Sequence, residues 1–241
     1  MLIYGIIVAT AFVIMLGDYS KLNVSGKLAQ FNELTKAVIA DAKMLMHGRD
    51  DTHGIDHVLR VYELAKQIRW AGGDKIDKLI MEVAILHDAY DHKYPNSIAN
   101  KTYISDIYGK DVVDVIDHIS YSSEVSYHIQ SPDVSINLSR MRWLKNLTTN
   151  TLIARNVVSD ADKLEAIGRR GIDRCIDFIK HRHPEIIHDD QQINIMLKQH
   201  YDEKLKILAQ YYIVTEKGKQ IAAMLDKEMT DYLKQRPNWT M

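Results

Sequence analysis

Residues 75–91 read KIDKLIMEVAILHDAYD, and the fold turns on this stretch. Ile76, Leu79, Ile80, Val83 and Ala84 recur at spacings of three and four, which is the period of one helix face, with Asp74 in place to start the helix. The apolar run Val83-Ala-Ile-Leu86 ends directly on His87-Asp88, so an imidazole and a carboxylate are driven toward the core. Such groups are costly to bury unless they are paired or bind a cation. This stretch therefore predicts both a buried helix and a polar centre at its end.

The same period extends outward in both directions. Lys27 to Met46 carries Leu28, Phe31, Leu34, Val38 and Ala42 as an amphipathic stripe. Thr52 can cap a second helix with Ile55, Val58, Tyr62, Ala65 and Ile68 facing inward, and Gly72-Gly73 supplies its terminator. Further helical patterns run near 110–119 and 151–180, and two more lie between 189 and 236. Ser120 to Asn150, with Ser-Pro and scattered Ser and Asn, reads as a loop that could form a rim or lid. With no sustained period-two alternation, internal repeat or linker in 27–236, the expected class is all-α, a helical bundle over 27–241 preceded by a hydrophobic segment, 1–26.

That first segment contains Leu2 to Leu16 (LIYGIIVATAFVIML), without charge or proline. As a helix it would span about 23 Å, short of a bilayer core of ~30 Å but feasible as an anchor with tilt or thinning. Lys21 and Lys27 follow it and nothing basic precedes it, which places the remaining chain on the cytosolic side. The expectation is membrane association through residues 2–16, with a core helix or strand of a soluble cytosolic protein as the alternative. Five N-x-S/T sequons, among them the one at Asn100, are discounted as chance matches.

Composition narrows the function classes. Among 241 residues, 46% are hydrophobic and 26% charged, with 11 Gly and 4 Pro, which excludes a disordered or collagen-like chain. Lys plus Arg number 31 against 32 Asp plus Glu, too balanced for direct nucleic-acid binding. One cysteine, Cys175, excludes an internal disulfide and a thiolate zinc site, so any metal must use the nitrogen and oxygen donors among 11 His and the acids.

Four strings hold the candidate donors: His53-Gly-Ile-Asp-His57, His87-Asp88-Ala-Tyr-Asp91, Asp160-Ala-Asp162-Lys163 and His200-Tyr201-x-x-Lys204. Any one of them has a bland reading as a core or surface group. Together they differ, because His57 lies beside the stripe of its helix, His87-Asp88 ends an apolar run, and Asp162 precedes Leu164 and Ile167. A shared divalent ion satisfies all of these groups at once. Two imidazoles with two carboxylates suit Mn²⁺, Fe²⁺, Co²⁺, Ni²⁺ or Zn²⁺.

The ordered set His57, His87-Asp88, Asp162 resembles the H…HD…D signature of the HD-domain metal-dependent phosphohydrolases, an all-helical superfamily, and within it the bacterial nucleotide pyrophosphohydrolase-like branch. The resemblance is carried by HGIDHVLRVYELA at 53–65, AILHDAYDHKY at 84–94, SDADKLEAIGRRGIDR at 159–174, QHYDEKLKIL at 199–208 and TEKGKQIA at 215–222. It implies His57, His87, Asp88 and Asp162 as ligands of a divalent metal (Mn, Mg, Co, Ni, Fe or Zn, with Mn favoured), Asp162 being preferred to Asp160 because the superfamily's last ligand stands before a basic residue. Asp91 resembles the acid that serves as general base or aligns water. Asp160 would support a ligand or cap a helix. His53 would orient the site or bind phosphate, or merely begin its helix. Arg60, Lys93 and Lys163 would neutralise phosphate, or be solvated charges. His200 and Lys204 match the family string and would bind substrate or pack around the site.

The implied activity is hydrolysis of nucleoside triphosphates with release of diphosphate through a metal-activated water. The alternatives are a nucleotide phosphomonoesterase or phosphodiesterase on the same centre, and a membrane-tethered nucleotide-binding sensor without turnover. The implied partner is a nucleotide or other small phosphate ester. Gly168-Arg-Arg-Gly171 and Leu225-Asp226 depart from the family strings, which bears on the substrate pocket rather than the metal centre.

Overall fold

The computed structural model describes residues 31–48, 54–130, 135–236 and 239. Every regular element among them is helical: α1 (Glu33–Leu45), α2 (Ile55–Ile68), α3 (Lys75–Leu86), α4 (Ser97–Tyr108), α5 (Lys110–Ile116), α6 (Tyr121–Ile129), α7 (Ile136–Trp143), α8 (Thr149–Glu165), α9 (Gly168–Arg182), α10 (Asp190–His200) and α11 (Glu216–Lys234). The hydrophobic segment 1–26 and the cap at Thr52 lie outside the described residues. Among the described residues no helix is long and apolar enough to cross a membrane.

The centre of the bundle is α2, α3 and α8 packed on one another. In α3, Leu79 through Leu86 are all buried, so it is enclosed on every side, as its apolar run requires. Asp74 caps it by accepting from the Asp77 N–H at 2.7 Å. Helix α8 starts on Thr148 and turns Ala154, Val157, Val158, Ala161 and Leu164 to the core at helical spacing. Helix α11 packs on both α8 and α9, and α5 on both α3 and α8.

Three expectations need correction. The described part of 120–150 is largely helical rather than loop: Ser120 and Ser135 cap α6 and α7 by accepting from the Ser123 and Leu138 N–H groups. These short helices carry weak apolar stripes and gain their order from contacts with the rest of the bundle, which periodicity cannot reveal. The stretch 97–108, where no helix was expected, forms α4. The single pattern over 151–180 is two helices, broken after Glu165, where Gly168 adopts φ +78°. Next to that break, a Cβ at Gly171 would lie 2.1 Å from the Ala166 carbonyl oxygen, so the close turn of α9 against α8 requires glycine there.

Two smaller differences follow the same logic. Helix α2 ends at Ile68, and Gly72 and Gly73, both at positive φ, shape the turn into α3. Asn100 is buried and donates to the Leu45 and Ala89 carbonyls at 3.0 and 2.7 Å, so that sequon is a structural amide.

Candidate metal centre

Each of the three central helices brings one part of the site. Helix α2 presents His57 from its first turn. His87 follows the last turn of α3, and Asp88 to Asp91 form tight turns just beyond it. Asp162 sits one turn from the end of α8. His87 and Asp88 thus stand at the helix end, where side chains can splay.

The four groups converge. His57 Nε2 lies 3.3 Å from His87 Nε2, 3.6 Å from Asp88 Oδ2 and 3.4 Å from Asp162 Oδ1. His87 Nε2 lies 3.6 Å from Asp88 Oδ1 and 3.7 Å from Asp162 Oδ1. His57, His87 and Asp88 form a cluster able to hold a metal ion. Donors bound at ~2.1 Å to one ion sit roughly 3.0–3.4 Å apart, so the spacing suits a common cation.

Tautomers strengthen this fit. His87 Nδ1 donates to the Ala84 carbonyl at 2.9 Å, and His57 Nδ1 donates to Glu165 Oε2 at 3.2 Å. With both Nδ1 atoms protonated, the two Nε2 lone pairs face each other and two carboxylates. Acceptors held this close to one another repel unless a cation lies between them.

Glu165 was not among the sequence-level candidates, and it organises the site. Its side chain is 2% exposed; it receives Arg60 Nε at 2.9 Å, meets Arg170 at 3.5 Å, and is hydrogen bonded by Arg174. The chain His57–Glu165–arginine fixes the imidazole ring as an outer carboxylate does in metal sites. A sequence signal existed: Glu165 stands three residues after Asp162, on the same helix face.

The remaining candidates divide. Asp91 and Lys93 line the cavity over the centre; Asp91 accepts from the Lys93 N–H and ammonium, both at 3.0 Å. Burial opposes ionisation of Asp91, but those contacts hold its pKa below the ordinary value. Lys204 also lines this cavity. Arg60 does not; it is committed to Glu165, so the expected phosphate role is replaced by one in holding the site's scaffold.

Lys163 borders the cavity but is 2% exposed, with its ammonium on Ser159 and, at 3.4 Å, Glu124. Burial and then Arg155 push it down to about 8. A buried ammonium needs a carboxylate, and Glu124 meets that need in place of a phosphate. Asp160 does not support a metal ligand or cap α8. It accepts from the Val214 and Thr215 N–H groups at 2.9 and 2.7 Å, tying mid-α8 to the start of α11. His200 lines a smaller neighbouring cavity rather than the metal cavity, and His53 lies outside the described residues.

Glu124, in the stretch expected to be a loop, is the hub of a second ionic cluster with Arg155 at 2.7 Å, Arg140 and Lys163. Burial opposes its ionisation, but Lys163, Arg155 and Arg140 lower its pKa to about 2, against an ordinary 4.5. Because the folded value is the lower one, its stabilisation is complete above pH 4.5 and is lost as the pH falls toward 2. Glu124→Gln is expected to destabilise the fold by about 3 kcal/mol near neutral pH. In thermal melts from pH 6 to 3 the gap to the parent should shrink with acid; a constant gap would remove the ionic role.

The cavity above the donors has a volume of about 540 Å³. Tyr90, Lys93, Lys101, Tyr121, Arg174 and Lys204 form part of its wall. Lys204 belongs to Tyr201–Leu205, one of two π-helical segments that continue α10, a local widening often found at functional sites.

No family model and no curated protein matches the chain. Solved structures do. Bacillus subtilis YpgQ aligns at 21% identity over 84% of this chain and 93% of its own, with a TM-score of 0.54. The same protein in complex with ADP aligns at 22% identity over 83% and 94%, TM-score 0.55. A Lactobacillus plantarum structural-genomics protein aligns at 23% identity over 85% and 96%, TM-score 0.55. At these identities the likeness shows a shared helical fold.

Proposed function

We propose that the chain is an HD-type metal-dependent phosphohydrolase that cleaves nucleoside triphosphates and releases diphosphate. The reading rests on one observation: the two imidazole Nε2 atoms lie 3.3 Å apart, and each lies within 3.7 Å of a carboxylate oxygen of Asp88 and of Asp162. A divalent cation held there, with Mn²⁺ favoured over Mg²⁺, Co²⁺, Ni²⁺, Fe²⁺ and Zn²⁺, would supply Lewis acidity for activating water.

The chain's own residues do the rest. His57, His87, Asp88 and Asp162 hold the ion, and Glu165 keeps His57 in the tautomer that presents Nε2. Asp91, an ionised carboxylate in the cavity wall, would orient the attacking water. Lys204 lines the same cavity and neutralises charge gathering on phosphate oxygens, while Lys93 and Lys101 in the same wall are paired with Asp91 and Asp117. The volume suits a small molecule, and the ADP on the structurally similar YpgQ supports a nucleotide as that molecule.

The test is product analysis on the full chain, loaded in turn with each cation and offered nucleoside triphosphates, monophosphates and cyclic diesters. Diphosphate with nucleoside monophosphate is the expected product pair. Orthophosphate release or diester opening would move the assignment to the phosphatase or phosphodiesterase alternatives, and nucleotide binding without turnover to the sensor. Absence of both binding and hydrolysis with every cation defeats the reading.

A further inference from the structure

Beside the metal cavity lies a second one of about 360 Å³, and the two share Ala166, Arg174 and Lys204 as a common wall. Their chemistry differs. The larger holds the metal donors and four lysines, while the smaller is formed by Phe178, Ile179, Met196 and Leu205, with Gln199, His200 and Glu203 at its polar positions. Apolar walls with a few placed polar groups are the complement of a flat heterocycle, whose faces are apolar and whose edge carries donors and acceptors.

Resting on the phosphohydrolase reading, we propose that the smaller cavity receives the nucleotide's base, with Phe178 as its stacking platform, while Lys204 meets the phosphates where the two cavities join and Arg174, held on Glu165, forms the wall beside it. The placement of charge agrees with this path. The two shared basic residues stand between the metal donors and the apolar walls, where the phosphate chain of a straddling nucleotide must pass.

Helix α9 prepares the surface. Gly171 brings it close to the end of α8, and Phe178, two turns further along, keeps 60% of its surface exposed at the cavity. An open aromatic ring can accept a base without first breaking core packing. Burial and then Lys204 hold the His200 imidazole below its ordinary pKa, so at neutral pH it offers one donor and one acceptor to a base edge. Burial pushes the Cys175 thiol up, which makes it an apolar part of the wall rather than a nucleophile.

The experiment compares the full chain with Phe178→Ala and Phe178→Tyr by calorimetry in the presence of Mn²⁺, titrating the four common nucleoside diphosphates and, separately, inorganic tripolyphosphate. Loss of one stacked base is expected to weaken the best nucleoside diphosphate by about tenfold in Phe178→Ala. Phe178→Tyr should restore it, and tripolyphosphate, which has no base, should bind all three proteins equally. A nucleotide affinity that is unchanged in Phe178→Ala overturns the proposal, as does an equal loss for tripolyphosphate. No nucleotide binding by the parent also overturns it. The enzymatic reading fails separately: Phe178-dependent binding without hydrolysis of any phosphate compound leaves the base site standing, and hydrolysis of tripolyphosphate with no Phe178 effect leaves the metal chemistry standing.

Discussion

His87→Ala/Asp88→Ala is expected to lose bound Mn²⁺ and to cut turnover by on the order of a thousandfold or more. The two residues leave the end of α3 together and provide one Nε2 and one carboxylate, half of the converging donors. His57 and Asp162 would remain, 3.4 Å apart, and two donors rarely hold a hard or borderline cation against water. A thermal readout separates this from misfolding. A cation that binds only the folded chain raises its melting temperature by mass action. Added Mn²⁺ should therefore raise the melting temperature of the parent and leave that of the double variant where it was. Full turnover together with one metal per chain in the variant would place the centre elsewhere.

Glu165→Ala is the second large effect, and it joins stability to function. Glu165 touches no cation in the proposed arrangement, yet it accepts from His57 Nδ1 and stands against Arg60, Arg170 and Arg174. Removing it leaves a cluster of guanidinium groups facing a hole. Breaking a buried ionic network from one side costs about 3–5 kcal/mol, a fall on the order of 10 °C in Tm for a chain of this size. Because the outer carboxylate also sets the His57 tautomer, Mn²⁺ affinity should weaken a further ten- to a hundredfold in protein that remains folded. Glu165→Gln separates the two effects: its amide oxygen can still accept from His57, so metal affinity should recover in part while the loss of charge keeps the protein destabilised. Unchanged metal affinity in Glu165→Ala would show that His57 is oriented by packing alone.

Helices α1, α2, α3 and α11 were legible because each has an apolar face with regular spacing; in α1, Val38 and Ala42 of the expected stripe are buried, while Leu34 is exposed and Ile39 is buried in addition. The convergence of the candidate donors was legible for a related reason. A polar residue placed on or at the end of an apolar stripe has few directions to point, so His57, His87, Asp88 and Asp162 could be expected to face a common interior. Helices α4, α6 and α7 were not legible. Their few buried residues, such as Asn100 and Ile104 in α4, carry little periodic signal.

Local sequence decided which segments could be helices, which faces would be buried, and that a nitrogen and oxygen centre was the only kind of metal site this chain could build. It could not assign partners to the charges, because an Arg or Lys on a helix reads alike whether it meets water, phosphate or a distant carboxylate. Packing made those choices: Arg60 and Lys163 were taken by Glu165 and Glu124, Asp160 by the start of α11, and His200 by the second cavity. Bringing charges together from segments up to 108 residues apart requires the assembled bundle, since the desolvation that makes each pairing obligatory exists only once the core has closed.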